Sequence, residues 1–355
     1  MGNLCGRSAE CSVAASLKRD SKRTKFCSNC LMGNLCGRSA ECSVAASSSF
    51  HASSSFHADE TSPAANLNSF SLNDLKLATE NFDWNSLLGK GSFGRVYKGW
   101  IDEETFAPTK PGVGIAVAVK NINQKVIGGA EVTYLGRLHH ENIIKLVGYC
   151  AESDSKILVY EYMPGGSLAN HLFREAQPIS WEMRISIAVD VARALSFLHS
   201  LETQVIYRDL KSSHVLLDSD FRAKLSDFGL ARNGPTGDET HVSTCVVGTV
   251  GFAAPEYITT GHLTAKCDVY NFGVLLLELI SGRKAGSHLH EKREIPRMMD
   301  ARLEGRYPRK EAKAVAALAF RCTHADPRKR PNMAEVLTAL EEIKQSKDTS
   351  IAQAH

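Results

Sequence analysis

The chain lacks the features that mark membrane-spanning, secreted or nucleic-acid-binding proteins. Its 355 residues contain no apolar run of the roughly 20 residues that a transmembrane helix needs. The most apolar stretch, residues 269–280, includes Asn271 and Glu278 and predicts a buried core helix instead. The first residues carry Arg7 and Glu10 where a secretory signal would be apolar. The net charge of +3 is too small to argue for nucleic acid. We therefore expect an intracellular protein with thiol cysteines and no nucleic-acid partner.

The N-terminal part differs in composition from the rest of the chain. Residues 1–69 are rich in Ser and Ala and poor in large apolar groups, so we expect a disordered arm before an ordered region that begins near Phe70. The segment MGNLCGRSAECSVAAS occurs at residues 1–16 and again at 32–47, and SSSFHA occurs twice within residues 47–58. Two polar copies do not make a stacked repeat. A recent duplication, alternative start sites and a gene-model error all explain them.

The start of the arm has the pattern of a lipid anchor. A glycine after the initiator Met is the acceptor for a myristoyl group, here Gly2, and Cys5 offers a palmitoylation site, although Gly6 stands where Ser or Thr is usual. Residues 18–25 add five basic side chains and one acid, and a basic patch or second acyl chain makes membrane binding stable. We predict attachment to anionic lipid at the cytoplasmic face of the plasma membrane. The alternatives are a solvated charge run and a half zinc site at residues 27–30.

A glycine-rich segment opens the part of the chain that carries chemistry. Its pattern is G-x-G-x-x-G-x-V, with Gly89, Gly91, Gly94 and Val96. Such glycines let the backbone approach phosphate oxygens, but alone they also suit a dinucleotide fold or a plain hairpin. A dinucleotide fold would open a helix after the third glycine. Here an apolar strand at residues 115–119 ends in Lys120 instead.

Three downstream motifs decide between these alternatives. Tyr-Arg-Asp-Leu-Lys stands at residues 207–211, Asp-Phe-Gly at 227–229 and Ala-Pro-Glu at 254–256. Each is common alone, but with the glycine-rich segment and Lys120 in this order they form the protein-kinase signature. Apolar residues at helical spacing in residues 185–195, 315–322 and 333–340 independently predict buried helix faces. Asn73 or Asp74 is expected to cap a short helix that ends at Ala78.

The sequence more closely resembles the plant receptor-like cytoplasmic kinases. The resemblance covers residues 70 to about 344 and is carried by FSLNDLKLATENF, GWIDEETFAPTKPG, VIYRDLK, LSDFGLARNGPTGDETHVST and GHLTAKCDVYNFGV. It implies an α+β, two-lobed protein kinase fold after the disordered arm. The implied divisions are the arm at 1–69, a kinase domain at 70–345 with a β-rich small lobe at 82–161 and a helical large lobe at 162–345, a hinge near 160–163 and a tail at 346–355.

This resemblance and the chemistry of phosphoryl transfer assign the site residues. Asp209 would accept the proton of the substrate hydroxyl, Lys211 would sit near the γ-phosphate and Asp227 would bind Mg²⁺ (or Mn²⁺). The expected ATP contacts are Gly89, Gly91, Gly94, Val96, Lys120, Tyr162 and Met163, with Glu131 as the ion-pair partner of Lys120. The remaining assignments are a structural pair, Glu256 and Arg330, and an activation segment in which Arg208 meets phosphorylated Ser243, Thr244 or Thr249. The implied function is an ATP-dependent serine/threonine kinase that acts on a protein substrate downstream of a receptor kinase.

Three departures from the family pattern qualify this function. His214 stands where the family has an Asn that binds the second metal, and imidazole is a softer ligand than the oxygens Mg²⁺ prefers. Glu131 follows Lys120 closely, just after Gly128-Gly129, so the helix that carries it loses its first turns and its pairing with Lys120 is in question. The stretch between Arg283 and Asp300 is short. We therefore expect reduced activity. The alternatives are a pseudokinase scaffold or decoy, and a switch that binds nucleotide without transfer.

Overall fold

The structure, a computed structural model, describes residues 67–91, 94–122, 128–152, 155–285 and 295–352. The predicted arm up to residue 66 lies outside these ranges, and with it the repeats, the basic run and the proposed lipid sites. No helix among the described residues is both long and apolar enough to cross a bilayer.

The small lobe is built on a sheet whose strand order is β1-β5-β6-β4-β3-β2. Strands β2 to β6 pair antiparallel, while β1 pairs parallel with β5. Helix α2 follows β4 and packs against the short 3₁₀ helix Phe228–Leu230 of the large lobe. The elements are β1 Asn68–Ser69, α1 Leu72–Ala78, β2 Leu87–Gly91, β3 Gly94–Ile101, β4 Ile115–Ile122, α2 Gly128–Leu135, β5 Leu146–Cys150 and β6 Lys156–Glu161.

The first helix begins two or three residues earlier than the predicted caps implied. Ser71 is the N-cap of α1 and its hydroxyl accepts a hydrogen bond from the Asp74 backbone amide at 3.0 Å. The Asp74 carboxylate in turn accepts from the Ser71 hydroxyl at 2.7 Å. The prediction of Asn73 or Asp74 as the cap was therefore wrong, because Ser71 and Asp74 act together much as a capping box does.

The large lobe is mainly helical, with short two- and three-residue strands between the helices. Its elements are β7 Gly166–Ser167, α3 Leu168–Phe173, α4 Trp181–Ser200, β8 Val205–Ile206, β9 Val215–Leu217, β10 Ala223–Leu225, β11 Arg232–Asn233, β12 Val242–Ser243, α5 Pro255–Thr260, β13 His262–Leu263, α6 Ala265–Ser281, α7 Ile295–Met298, α8 Arg309–Cys322 and α9 Met333–Ala352. The two-lobed α+β architecture confirms the predicted fold class.

The predicted helix faces form the core of the large lobe. The apolar stretch at residues 269–280 lies within α6, which is buried continuously from Cys267 to Ser281. The faces predicted from periodicity are buried too: Ile185, Ala188, Val189, Ala192 and Leu195 of α4, Val315, Leu318, Ala319 and Cys322 of α8, and Met333, Val336 and Leu340 of α9. Leu337, the fourth predicted residue of the α9 face, is half-buried against the same core. Burial of these stripes fixes the large lobe as a rigid support for the loops above it.

Two boundaries differ from those expected. Strand β1 lies inside the segment assigned to the arm, and Phe70 and Leu75 pack with Val117 and Val159 of the small-lobe sheet. The small lobe therefore begins before residue 82, because these apolar side chains complete one of its cores. At the other end, α9 continues to Ala352, past the expected end of the domain at residue 345.

The shortened stretch before Asp300 is anchored where it returns to the large lobe. Residues 286–294 lie outside the described ranges. The short helix α7 then leads to Asp300, whose carboxylate accepts from Arg184 of α4 at 2.7 Å. Arg184 and Asp300 are both buried, so the chain re-enters the core at a fixed point.

Candidate active site

The glycine-rich segment forms the β2–β3 hairpin. Gly89 pairs with Val96 and Gly91 with Gly94 across it, and the tip at residues 92–93 lies outside the described chain. Gly94 has φ +144°, and a Cβ placed there would come within 1.9 Å of the Asn121 carbonyl oxygen. Glycine is therefore required at this position by both backbone conformation and space. A Cβ on Gly89 or Gly91 would meet no described atom within 4 Å.

Lys120 and Glu131 are in direct contact, which answers the doubt raised by their short separation. The Lys120 ammonium lies 3.0 Å from each carboxylate oxygen of Glu131. Val132 and Leu135, one and four residues after Glu131 in α2, are buried in the core and hold this helix in place. The eight-residue helix is short, but it is anchored at the position where Glu131 faces β4.

A third small-lobe residue completes this contact. The Tyr160 hydroxyl donates to Glu131 Oε1 at 2.9 Å, and Tyr160 is the penultimate residue of β6. Glu131 is fully buried. A buried carboxylate needs charged or hydrogen-bonding partners, and Lys120 and Tyr160 supply both. Tyr160 was expected only as part of the hinge, and its link to Glu131 was not predicted.

Asp227 joins the small-lobe pair to the large lobe. Its Oδ1 lies 3.0 Å from the Lys120 ammonium, and its backbone has φ +60° in the left-handed region. Burial would lower the pKa of Lys120, but Glu131 and Asp227 outweigh it and raise that pKa. Burial works against the charged form of Asp227, but Lys120 and His214 hold its pKa below the usual value. Both groups are therefore charged at neutral pH.

The loop at residues 207–211, called the catalytic loop from here on, brings Asp209 and Lys211 together, and Thr249 lies against both. The Lys211 ammonium lies 3.0 Å from Asp209 Oδ2 and 3.0 Å from the Thr249 hydroxyl. The Thr249 hydroxyl donates to Asp209 Oδ1 at 2.7 Å. Asp209 is 4% exposed. Thr249 thus lies against the predicted base, unlike the exposed Ser243 with which it was grouped.

Asp268 fixes the backbone of this loop and was not identified from the sequence. Its carboxylate oxygens accept from the backbone amides of Tyr207 and Arg208 at 2.8 and 2.7 Å. Asp268 is fully buried at the start of α6, and His199 also contacts it at 2.9 Å. Arg208 has φ +77°, a conformation that an ordinary residue adopts only when its surroundings hold it there. The only sequence signal was its place in the matched stretch GHLTAKCDVYNFGV.

Arg208 contacts the predicted activation segment. Its guanidinium donates to the Thr244 hydroxyl at 3.1 Å, to the Cys245 carbonyl at 2.5 Å and to the Tyr257 hydroxyl at 2.7 Å. Thr244 is half-buried against this guanidinium. Of the three predicted phosphorylation sites, Thr244 is therefore the one in contact with the arginine.

The predicted structural pair is in contact, and the predicted hinge residues follow the last strand of the small lobe. Arg330 and Glu256 form a bidentate pair with both N–O distances at 2.7 Å, and the Arg330 side chain is fully buried. Tyr162 and Met163 follow directly after β6. The Lys98 ammonium lies 4.4 Å from the Tyr162 ring centroid, a cation–π contact beside the hinge.

His214 occupies the end of a 3₁₀ helix, Ser212–His214, beneath Asp227. Its Nδ1 lies 3.0 Å from the Asp209 carbonyl oxygen and its Nε2 lies 3.2 Å from Asp227 Oδ2. Burial lowers the pKa of His214, although Asp227 opposes the shift. A carbonyl oxygen can only accept, so Nδ1 carries a proton. Nε2, the other ring nitrogen, faces the Asp227 carboxylate.

Asp227 and His214 differ in how well their ligand atoms suit Mg²⁺. Within the described ranges, no three His, Cys, Asp or Glu side chains gather into a metal-binding group. A metal here would depend on Asp227 and on nucleotide phosphates, as Mg²⁺ sites in phosphoryl-transfer enzymes usually do. The Asp227 carboxylate fits Mg²⁺, whereas His214 offers nitrogen in place of the expected amide oxygen.

Comparison with known proteins places this site in a family. The family described as "Protein tyrosine and serine/threonine kinase" matches residues 82–340. "Receptor-like cytoplasmic kinase 176" of Oryza sativa subsp. japonica is 52% identical over 315 residues, which cover 82% of this chain and 80% of that protein. "Probable serine/threonine-protein kinase PBL18" of Arabidopsis thaliana is 53% identical over 309 residues, covering 81% and 79%.

The chain therefore belongs to the protein kinase family and, within it, to the plant receptor-like cytoplasmic kinases. The predictions of family, fold class and serine/threonine kinase class are confirmed. Kinases of this family use ATP with divalent metal ions and phosphorylate protein substrates.

Proposed function

We propose that the protein transfers the γ-phosphoryl group of ATP to serine or threonine hydroxyls of a signalling protein, more slowly with Mg²⁺ than relatives that carry Asn at position 214. The observation that carries this proposal is the set of contacts at the catalytic centre. Lys120 bonds both Glu131 and Asp227 at 3.0 Å, and Lys211 bonds Asp209 at the same distance. Phosphoryl transfer requires positioning and charge neutralisation, and these contacts are suited to both.

The roles of the residues follow from their positions. Asp209 accepts the proton of the attacking hydroxyl, and the hydrogen bond from Thr249 keeps its carboxylate oriented. Lys120 holds the α- and β-phosphates once nucleotide separates it from Asp227, while Glu131 retains it. Lys211 lies beside Asp209, where it can neutralise charge on the γ-phosphate. A divalent metal on Asp227, when bound, supplies charge that neutralises the phosphates.

Incubation of purified protein with labelled ATP tests the proposed activity. We expect autophosphorylation that is weak with Mg²⁺ and absent in Asp209→Asn, whose amide cannot act as the base. Mapping the phosphosites should find Thr244 ahead of Ser243, because Arg208 contacts the Thr244 hydroxyl and a phosphate there would gain a charge-assisted bond. Label incorporation that is equal in Asp209→Asn would contradict the assignment of the base.

A scaffold or decoy remains a second candidate, and the observation that favours it is His214. The natural protein would then be inactive with every metal tried. Activity that appears in His214→Asn would instead assign the loss to that one residue, since the rest of the site would be shown competent.

We also propose that the protein works at the inner face of the plasma membrane, downstream of a receptor kinase. Support comes from Gly2, Cys5 and the basic residues 18–25, and from the similarity to a rice protein whose name includes "receptor-like cytoplasmic kinase". Two acyl chains, or one with a basic patch, hold a protein stably on anionic lipid. Gly2→Ala with Cys5→Ser should release the protein to the soluble fraction, and unchanged membrane binding would refute the anchor. Mass spectrometry of the N-terminus distinguishes a start at Met1 from one at Met32, which gives the same first residues without the basic run.

A further inference from the structure

We propose that His214 Nε2 and Asp227 Oδ2 together bind the metal ion that accompanies the nucleotide, so that this kinase favours a first-row transition-metal ion over Mg²⁺. This inference rests on the proposed ATP-dependent function. It concerns the ligand atom at position 214. Where the family pattern has the oxygen of an Asn amide, this chain has an imidazole nitrogen.

The orientation of the His214 ring is fixed by the catalytic loop. Nδ1 donates to the Asp209 carbonyl oxygen at 3.0 Å, and the side chain is only 11% exposed. A hydrogen bond of this kind on one ring nitrogen sets the tautomer and presents the other nitrogen as a ligand. Nε2 is thereby turned towards Asp227.

The spacing of the two donor atoms suits one metal ion. Ligands at about 2.1 Å from an ion, on neighbouring corners of an octahedron, lie about 3 Å apart. The distance from His214 Nε2 to Asp227 Oδ2 is 3.2 Å. Asp227 Oδ1 is bonded to Lys120, which leaves Oδ2 as the oxygen that faces the imidazole. The other corners would be filled by phosphate oxygens and water.

The ligand set determines which ion is favoured. Mg²⁺ selects hard oxygen donors and a tight octahedron, whereas imidazole binds transition-series ions better. A mixed nitrogen and oxygen pair therefore lowers the advantage of Mg²⁺. Relative to His214→Asn, we expect the natural chain to prefer Mn²⁺ over Mg²⁺ about tenfold more, at the low end of the effects that metal-site changes produce.

Pulsed electron paramagnetic resonance detects the nitrogen directly. The sample is the full chain with Mn²⁺ and the β,γ-methylene analogue of ATP, which has no bridging nitrogen. Protein labelled with ¹⁵N at histidine should show ¹⁵N coupling to Mn²⁺, and unlabelled protein should show ¹⁴N coupling. The coupling should disappear in His214→Asn. It should persist in His139→Asn, which makes the same chemical change at an exposed histidine.

Calorimetry with the same nucleotide analogue separates the outcomes. Nucleotide and Mn²⁺ that bind without histidine coupling would overturn this inference and leave the kinase function standing. Coupling that survives in His214→Asn would also overturn it, because another histidine would be the ligand. No nucleotide binding with either ion would overturn the proposed function and this inference together.

Discussion

Two regions of the catalytic site depart from the family pattern, and the structure accommodates them differently. In the small lobe, the link between Lys120 and Glu131 is shortened, yet the two side chains meet at 3.0 Å. In the large lobe, His214 keeps the expected spacing of five residues from Asp209, yet it places a nitrogen where the family pattern has an oxygen donor. A change in spacing can be absorbed by the backbone because the helix needs only to bring one side chain to the right point. A change in atom type cannot be absorbed in this way.

The largest effect is expected from a change that breaks the Lys120–Glu131 pair in the small lobe. Glu131→Ala removes the carboxylate that bonds Lys120 at 3.0 Å, while the ion pair between Lys120 and Asp227 remains. Since the pair must be in place for transfer, we expect the rate of phosphorylation to fall by about 10³-fold. Initial rates at saturating ATP measure this fall in rate, and thermal unfolding verifies that the variant is folded.

The exposed Glu141 provides the control for that variant. Glu141→Ala changes the same residue type outside the described contacts of Lys120, and its rate should stay within about twofold of the natural protein because surface substitutions are usually mild. A Glu131→Ala rate as high as that of Glu141→Ala would show that the pair is present but unimportant. The shortened helix would then have cost the ion pair its role in catalysis.

The second-largest effect is expected from a change that restores the oxygen donor at position 214. His214→Asn restores an amide oxygen towards the metal and should raise the rate with Mg²⁺ by about 10²-fold, the scale on which one preorganised electrostatic contact acts. The gain with Mn²⁺ should be smaller, because that ion tolerates nitrogen. Steady-state rates with each ion measure both. Equal Mg²⁺ rates in the two proteins would show that water or another group replaces the missing oxygen.

The difference between these regions also explains what the sequence could and could not predict. Lys120, Asp209 and Asp227 were identified because phosphoryl transfer fixes both their residue types and their neighbours in sequence. Asp268 was missed because its role is a pair of hydrogen bonds to backbone amides 60 and 61 residues away, which no local pattern reveals. Its residue type alone is compatible with any helix start.

The short separation in sequence between Lys120 and Glu131 led us to doubt their pairing for a related reason. Counting residues from Lys120 measures the length of the chain, whereas the position of Glu131 depends on where α2 is anchored. Val132 and Leu135 supply that anchor by burial in the core. The fold as a whole was easier to predict, because the buried stripes of α4 and α8 are set by local periodicity. The start of the small lobe was harder to place, since Phe70 joins a core that only the assembled sheet creates.

The smallest expected effect tests how tightly the small-lobe pair is held. Tyr160→Phe removes the hydroxyl that donates to Glu131 Oε1 at 2.9 Å and keeps the ring. Loss of one hydrogen bond costs about 1 kcal/mol, so we expect about a fivefold lower rate while Lys120 still pairs with Glu131. Combining Tyr160→Phe with Glu131→Ala should add almost nothing to Glu131→Ala alone, because the hydroxyl then has no carboxylate to orient. Fully multiplicative losses of rate in a double-mutant cycle would show that Tyr160 acts elsewhere. The small-lobe ion pair would then depend on Lys120 and Glu131 without the contact from Tyr160.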